Sequence, residues 1–417
     1  MNDTISGLTS AALRGATQPA DAHFITIKRG PGGPPAALKH PQAPLSKITK
    51  THCLLTLALL MAITAPRRAD AQFIWIDVSY KAIVDPATGQ PAAYVTPHLP
   101  QEAVRFGNAM LARYRRGYRL RLVEYFWIGG SDHPRDPSRW YPFLVGPNHE
   151  LLEEEFRSDA FTNYPALYGW NPSALNVFLT VFPEGTGKSA FCAECDSGRL
   201  SDYIADGREC NASTQFTAEE NFGARNLHET GHYFYLKHTH GNTACITNTS
   251  GLCLAPVPGD DDLTDTLGDV QNVGDCTCWT VENLSWTNFN KGYGALNATE
   301  RELVDNVWFN LMSYHETFGY SRLTEQQLDL WTDIANSFRR HVLSGVTLYV
   351  SLEGNDGYSG LTSTTPKRHV AAALDAAAPG GGDIVLLRPG NYDERVTLTR
   401  PATLRATRAG PASLGRP

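Results

Sequence analysis

The chain has 417 residues, which is enough for two or three domains and for a largest domain with a sizeable core. Hydrophobic residues make up 42% and charged residues 19% of it, values that exclude a chain disordered throughout. The formal net charge of −7 gives no reason to expect nucleic acid or an acidic membrane surface as a partner.

The N-terminal part of the chain lacks the pattern of a folded domain. Residues 1–46 are rich in Ala, Pro, Gly and Thr without a sustained apolar period, so we predict disorder or an overextended start of the coding frame. Two lysines then precede an apolar run, Cys53 to Ala65, that is too short to span a bilayer. We predict a secretory signal over 47–71 with cleavage after Ala71; the alternative is a buried helix.

The cysteines are clustered along the chain. Seven of the eight lie between Cys192 and Cys278. Cys192 with Cys195, and Cys276 with Cys278, are spaced closely enough to bind a metal, but in a secreted chain we favour disulfides. The odd number leaves one thiol over, and the pairing stays open.

From residue 73 the pattern is that of an α/β domain, which we place at 72–343. Strand formers run from Phe73 to Val84, and an apolar helical face follows within 101–116. Leucine and tyrosine then alternate with arginine from Tyr118 to Leu122, as in a strand with one solvated face. Ala174 to Phe182 is typical of a further, largely buried strand.

The next element carries the pentad His-Glu-x-x-His, formed by His228, Glu229 and His232. Helical residues four apart project from one face, so both imidazoles could bind one zinc ion and leave a position for water. Glu229 would then accept the proton of that water. His238 follows just beyond the expected helix end as a candidate third ligand, with His240 as its substitute; the alternative is a helix with metal-free histidines.

The extended motif, His-Glu-Thr-Gly-His followed by His238-Thr239, resembles the pappalysin branch of the metzincin zinc metalloproteases. The resemblance implies an α/β (α+β) domain with a mixed sheet, in which strands and a helix precede the active-site helix. One residue departs from the family pattern. Metzincins usually place glycine at the position of Tyr235, in a left-handed turn that costs a residue with a side chain roughly 1–2 kcal/mol.

A long acidic loop follows the histidines. Its segment Asp261 to Thr266 again resembles the pappalysins, with Leu267 where a proline is usual. Carboxylates close together favour a bridging cation, so we predict Ca2+ bound through Asp261 and Asp265. A solvated acidic loop is the alternative.

Asn310-Leu-Met-Ser-Tyr314 resembles the Met-turn of metzincins. The resemblance implies that Met312 forms an apolar floor under the zinc ligands and that the Tyr314 hydroxyl reaches the metal or the developing oxyanion. An ordinary packed methionine and a buried tyrosine are the alternative.

A helix with a capping box at Thr324 and Gln327 closes the domain and should pack under the active site. Its predicted apolar face consists of Leu328, Trp331, Ala335, Phe338 and Val342.

Residues 344–417 change in composition, with short strands, glycine-rich turns and an Ala-rich helix. This segment resembles the opening cap and first rungs of a right-handed parallel β-helix of the pectate-lyase-like type, shortened to about two rungs. We interpret it as a binding or spacer module that could contact a surface or a glycan. Its predicted strands are 347–351, 383–387, 396–398 and 402–404.

These patterns predict a secreted zinc metalloendopeptidase that hydrolyses protein or peptide substrates with a zinc-activated water and Glu229 as general base. The alternative is a non-catalytic secreted or surface binding protein with a degenerate protease domain and a β-helix module, as Tyr235 suggests. Glu229 argues against it, because chemistry needs this carboxylate and metal binding does not. A weaker alternative keeps the zinc and hydrolyses a small amide. We expect one catalytic Zn2+ and no membrane-spanning segment.

Overall fold

The computed structural model describes residues 73–144, 152–181, 190–192, 203–207, 218–240, 246–247, 253–254, 261–269, 280–315 and 322–415. The predicted N-terminal segments 1–46 and 47–71 lie outside these residues, as do all the cysteine side chains and therefore the predicted disulfides. Within the described ranges, no helix combines the length and the apolar composition that crossing a bilayer requires.

The first domain is a mixed α/β structure. Its strands are β1 (Ile74–Ile83), β2 (Tyr118–Ile128), β3 (Leu175–Thr180), β4 (Ala190–Cys192), β5 (Tyr203–Gly207) and a hairpin of β6 (Ile246–Thr247) and β7 (Cys253–Leu254). Its helices are α1 (Leu99–Arg113), α2 (Glu153–Arg157), α3 (Ala218–Tyr233), α4 (Val281–Phe289), α5 (Ala298–Trp308) and α6 (Glu325–Ser337). A π-helical turn (Ser158–Asn163) and 3-10 turns at Pro137–Trp140, Tyr293–Ala295 and Arg340–Val342 complete it.

The five strands β1 to β5 form one sheet in the order β2-β1-β3-β5-β4. All neighbours are parallel except the edge strand β4, which runs antiparallel to β5. The mixed sheet expected from the family resemblance is therefore present. Because successive side chains point to opposite faces, alternate residues of β1 from Ile74 to Ala82 enter the core that also holds α1 and α3. Ile83 enters a second core on the other face, with Trp140, Phe156 and Phe178.

The sequence located the first helix and strands with small errors. The helix predicted over 101–116 is α1, which ends earlier because Arg115 and Gly117 both take left-handed backbone angles, with φ of 59° and 85°. Its buried face includes Phe106 and Met110, whereas Val104 is only partly buried. The strand predicted to end at Leu122 continues to Ile128 beside β1.

Helix α6 begins at the predicted capping box. The Thr324 backbone donates to the Gln327 side chain at 3.0 Å, and the Gln327 backbone donates to the Thr324 hydroxyl at 3.2 Å. The predicted apolar face is wrong at Phe338, which is 61% exposed because the helix ends at Ser337. Val342 is buried, but from the following 3-10 turn.

The C-terminal module contains β8 (Thr347–Val350), α7 (Val370–Ala376), β9 (Asp383–Leu387), β10 (Gly390–Tyr392), β11 (Ala402–Ala406) and β12 (Ala412–Leu414). Strands β8, β9 and β11 form a parallel sheet in the order β11-β9-β8, and β10 pairs in parallel with β12. Parallel pairing is what a β-helix requires, but the β-helix itself stays a prediction. The strand predicted at 396–398 is wrong, since these residues are irregular and Leu398 is exposed.

The module packs directly on the first domain. Tyr349, Ile384 and Leu386 belong to the same apolar core as Trp331 of α6. Close to this core, Arg116 forms ion pairs with Glu325 at 2.7 Å and Asp329 at 2.9 Å. The shared core joins the two parts, and across the junction Arg388 of the module pairs with Asp329 of α6 at 2.5 Å.

Candidate metal centre

Helix α3 presents two histidines on one face, and the chain then returns a third. The rings of His228 and His232 lie 4.8 Å apart. After the helix ends, His238 folds back so that its Nε2 lies 2.9 Å from Nε2 of His232 and 3.2 Å from Nε2 of His228. The structure thus brings the three predicted ligands together.

Backbone carbonyls decide the tautomers of the two helical histidines. Nδ1 of His228 lies 2.6 Å from the carbonyl oxygen of Leu311, and Nδ1 of His232 lies 2.7 Å from that of Leu236. A carbonyl can only accept a hydrogen bond, so each Nδ1 carries the proton. Nε2 of each ring therefore presents a lone pair, and these lone pairs meet at His238.

Burial favours the uncharged form of His228 and His238. It lowers the pKa of His228 to about 3, and the neighbouring His232 lowers that pKa further. Burial, followed by the charges of the neighbouring histidines, also holds the pKa of His238 well below its usual range. Neutral imidazole is the form that binds metal ions, so His228 and His238 are in their metal-binding protonation state at neutral pH.

Two of the three separations between the ring nitrogens are close to those of a tetrahedral metal site. Nitrogens about 2.0–2.1 Å from zinc in a tetrahedral shell lie about 3.3–3.4 Å from one another. His238 Nε2 is 2.9 Å from the His232 nitrogen and 3.2 Å from the His228 nitrogen. A shift of His238 by a few tenths of an ångström would give these two pairs the separation expected around zinc. In the part of the chain that the structure describes, this is the one group of three or more His, Cys, Asp or Glu side chains placed to share a metal ion.

The alternative third ligand, His240, has a different position. Its ring stacks on that of His238 with centroids 4.7 Å apart and planes 18° from parallel. It also contacts Tyr314 edge-on, at 4.7 Å. His240 lies behind the third histidine and does not join the group of three.

The left-handed turn expected at Tyr235 is present, with φ of 70°. Here the backbone N–H of Leu236 donates to the carbonyl of Gly231, and that of Tyr235 to His232. The turn carries the Leu236 carbonyl back to Nδ1 of His232. Tyrosine therefore adopts the conformation for which metzincins use glycine, at the cost of backbone strain.

Glu229, the predicted general base, follows His228 on α3 and is only 6% exposed. One turn earlier, Asn226 accepts a hydrogen bond of 2.7 Å from the Tyr80 hydroxyl in the middle of β1. The Thr230 hydroxyl donates back to the Asn226 carbonyl at 2.7 Å. Asn226, which sequence reasoning missed, thus anchors the histidine helix to the central strand.

Met312 is fully buried and packs against the histidine helix at Gly231. A Cβ atom at Gly231 would lie 2.5 Å from the Met312 sulfur, so the methionine approaches this closely only because the helix has a glycine here. The carbonyl of Met312 also accepts from the backbone of Thr239 at 3.3 Å. The sequence motif contained Gly231, but the need for it was not predicted.

Tyr314 lies on the open side of the histidines. Its ring centroid is 4.6 Å from that of His238 and 6.0 Å from that of His228. At 39% exposure it is not the buried tyrosine of the alternative interpretation. A hydroxyl on a half-exposed ring beside the ligands could contact a molecule that binds there.

The acidic loop lies against the start of α6. Asp261 accepts hydrogen bonds from the Leu263 backbone at 3.2 Å and the Gln327 amide at 3.0 Å. Asp265 accepts from the Gln326 backbone at 2.9 Å. Both carboxylates thus hold the loop to this helix, and Ca2+ at Asp261 and Asp265 stays a prediction.

No family model and no curated protein sequence matches this chain. Solved structures similar to it include Tannerella forsythia mature mirolysin in complex with a cleaved peptide, at 13% identity and a TM-score of 0.35. That match covers 65% of this chain and 95% of mirolysin. Mirolysin in complex with compound 9 matches at 12% identity and a TM-score of 0.36, over 65% of this chain and 96% of that one.

A chain of a chaperone–substrate complex also matches, at 13% identity and a TM-score of 0.26, over 58% of this chain and 36% of the other. At such low TM-scores these likenesses are distant. The histidine centre itself is therefore the feature of this chain that indicates a function.

Proposed function

We propose that this chain is a secreted, zinc-dependent metalloendopeptidase of the pappalysin-like metzincin type. Its main support is the meeting of three histidine Nε2 atoms, two of them fixed as lone-pair donors by backbone carbonyls. The buried Glu229 beside the cluster and the half-exposed Tyr314 on its open side add the groups that peptide hydrolysis needs.

The protein supplies the ligands, the base and the oxyanion donor. Zinc bound by His228, His232 and His238 would polarise a carbonyl and lower the pKa of a water towards about 7. Glu229 accepts a proton from the attacking water and passes it to the leaving amine. The Tyr314 hydroxyl donates a hydrogen bond to the oxygen on which negative charge develops.

Met312 has a supporting role in this proposal. Its apolar side chain packs against Gly231, between the two helical histidines in sequence, and excludes water from beneath them. The carbonyl of the preceding residue, Leu311, holds His228 in its metal-binding tautomer. The Met-turn therefore orients the ligands through its backbone and fills the space below them through its side chain.

The test measures zinc content and cleavage of a quenched mixed-peptide library by the full chain, beside Glu229→Ala. We expect about one zinc per chain in both proteins, with cleavage by the variant slower by roughly 10²–10⁴-fold, the usual contribution of a general base. Glu302→Ala is the matched control, because Glu302 is an exposed glutamate on α5, and it should cut at the wild-type rate.

Two results would overturn the proposal. Well-folded protein without zinc would remove its chemical basis. Protein that holds zinc and cuts no peptide would favour the non-catalytic binding protein, and cleavage of small amides alone would favour the small-amide hydrolase.

A further inference from the structure

A buried acid–histidine pair lies directly behind the Met-turn. Nε2 of His315 is 2.8 Å from a carboxylate oxygen of Asp269, and the two side chains are 1% and 0% exposed. The ring of Trp308 stacks on His315, with centroids 3.9 Å apart and planes 17° from parallel. The imidazole is therefore held at its edge by a carboxylate and on its face by an indole.

The proposed chemistry uses neither member of this pair. Taking a carboxylate and an imidazole out of water is costly unless each is well partnered. In the part of the chain that the structure describes, Nδ1 of His315 has no hydrogen-bond partner, so Asp269 supplies the polar contact of this ring. Breaking the pair would release the residue next to Tyr314.

Tyr314 is attached to fixed backbone on both sides. On one side, the backbone N–H and the hydroxyl of Ser313 both donate to the Asn310 carbonyl, at 3.2 and 3.0 Å. On the other side stands His315, held by Asp269. The tyrosine ring itself is half exposed, so core packing alone does not fix its direction.

We propose that Asp269 and His315 are positioning residues that hold Tyr314 over the histidine centre. The pair fixes the backbone on the C-terminal side of Tyr314, and Trp308 keeps the imidazole in plane. The tyrosine hydroxyl then meets the developing oxyanion without a search through other rotamers. This inference rests on the proposed function, since it concerns the geometry of the same reaction.

The first experiment is a double-mutant cycle with Tyr314→Phe. The combined change Asp269→Asn with His315→Phe removes the hydrogen bond, leaves no unpaired charge and keeps a ring against Trp308. We expect it to lower kcat roughly 10-fold with little change in KM or zinc content, as a misplaced reacting group does. Made in the Tyr314→Phe background, the same change should cost less than about 2-fold, because coupled residues are not additive.

Conservative and remote variants complete the cycle. His315→Gln retains a hydrogen-bond donor for Asp269, so its kcat should stay close to that of the wild type and well above that of the Asp269→Asn, His315→Phe protein. If that double variant does not fold, a roughly 10-fold loss of kcat in His315→Gln would contradict the inference. Asp356→Asn alters a similar pair on the C-terminal module, where Asp356 lies 2.6 Å from His369, and should leave kcat unchanged.

The second experiment observes Tyr314 without zinc or substrate. In metal-free protein with labelled tyrosine, Tyr314→Phe identifies the Tyr314 ring signal by NMR. We expect this signal to shift or broaden in the Asp269→Asn, His315→Phe protein and to keep its position in His315→Gln. A merely structural pair would change the thermal midpoint and leave the Tyr314 signal in place.

The outcomes separate the two levels of the argument. Wild-type protein that does not cut overturns the proposed function and this inference with it. If the wild type cuts but Tyr314→Phe has no effect, Tyr314 has no catalytic role and the inference fails. If Tyr314→Phe lowers kcat and the pair's effect simply multiplies with it, the pair does not act through Tyr314 while the proposed function stands.

Discussion

Two buried polar clusters of this protein satisfy their atoms in opposite ways. At the junction of the first domain and the C-terminal module, Arg116 meets Glu325 and Asp329, and Arg388 meets Asp329 at 2.5 Å. Each charge there faces an opposite charge. In the candidate metal centre, three imidazole rings turn their Nε2 atoms towards each other instead.

This difference separates a structural cluster from a binding centre. Opposite charges satisfy each other and hold two parts of a chain together, provided that the buried pair stays complete. The lone pairs of His228 and His232 are instead directed towards one point, where a bound cation would satisfy both. Both clusters are buried and polar. What distinguishes them is whether the polar atoms pair with each other or point together at one shared position.

Removal of one ligand should break the metal centre most severely. His238→Gln should lower zinc affinity by more than about 100-fold, since even changes to the groups that hydrogen-bond metal ligands cost about 10–100-fold. His240→Gln is the control, because this ring stacks on His238 without joining the group of three, and it should keep affinity within a few-fold. Competition with a chelator measures both. The reverse order would identify His240 as the ligand.

Removal of one cation should break the junction in a different way. Arg116→Met leaves Glu325 with the backbone N–H of Arg408 and Asp329 with Arg388. It should lower the free energy of unfolding by about 1.5–3 kcal/mol, the usual worth of hydrogen bonds to charged groups. Urea denaturation measures this loss, while zinc affinity of the folded protein should be unchanged. In the control Arg105→Met, the lost ion pair with Glu102 is exposed and should be worth less than about 1 kcal/mol.

Lys81 differs from both clusters, because it is a buried lysine with mainly neutral partners. On β1 its ammonium group donates to the Asn176 side chain and to the Ser79 carbonyl, and burial lowers the pKa of Lys81 to about 7, against a smaller raising effect of Glu124. The unfolded chain has the ordinary lysine pKa of about 10.4 and therefore binds more protons above pH 7. The free energy of unfolding should rise with pH through this window, by about 1 kcal/mol per pH unit.

Lys81→Met tests this assignment. The variant should lose most of the rise between pH 7.5 and about 9.5, the part of the window in which the folded side chain is neutral and the unfolded one charged. Urea denaturation across that range measures the slope. Parallel slopes in the two proteins would assign the pH dependence to other groups.

The smallest expected effect concerns backbone strain next to the metal centre. Tyr235→Gly removes a left-handed tyrosine, which saves roughly 1–2 kcal/mol, but glycine adds unfolded-state entropy that offsets about 0.5–1 kcal/mol. We expect a net gain of about 0.5–1 kcal/mol, visible as a higher thermal midpoint. Asn290→Gly is the control, because Asn290 has φ of 53° and asparagine tolerates this region. A lower midpoint for Tyr235→Gly would show that the tyrosine side chain contributes more than its strain costs.

Local patterns in the sequence predicted the structure correctly wherever the feature lies within a single helix or turn. The four-residue spacing of His228 and His232 places both on one face because of the helical period alone. The capping box at Thr324 is likewise a contact within one helix turn. The left-handed turn at Tyr235 was expected from the family resemblance, in which glycine holds this position, and it is present.

The sequence predictions failed where contacts with neighbouring elements determine the local structure. Phe338 continues the apolar spacing of α6, yet the helix ends before it and leaves the ring exposed. The apolar residues at 396–398 have strand character but no strand neighbour in the described structure. The roles of Gly231 and Asn226 are visible only once Met312 and Tyr80 lie against the helix.

The chemical types of the centre follow from the sequence, because three imidazoles and a carboxylate at these spacings suit few ligands other than a metal ion. The spacing also favoured His238 as the third ligand, with His240 as its substitute. Only the tertiary structure gives the positions of the two rings: the turn at Tyr235 brings His238 to the other two nitrogens, and His240 stacks behind it. Directions of lone pairs depend on carbonyls such as that of Leu311, far away along the chain, and only folding brings these to the histidines.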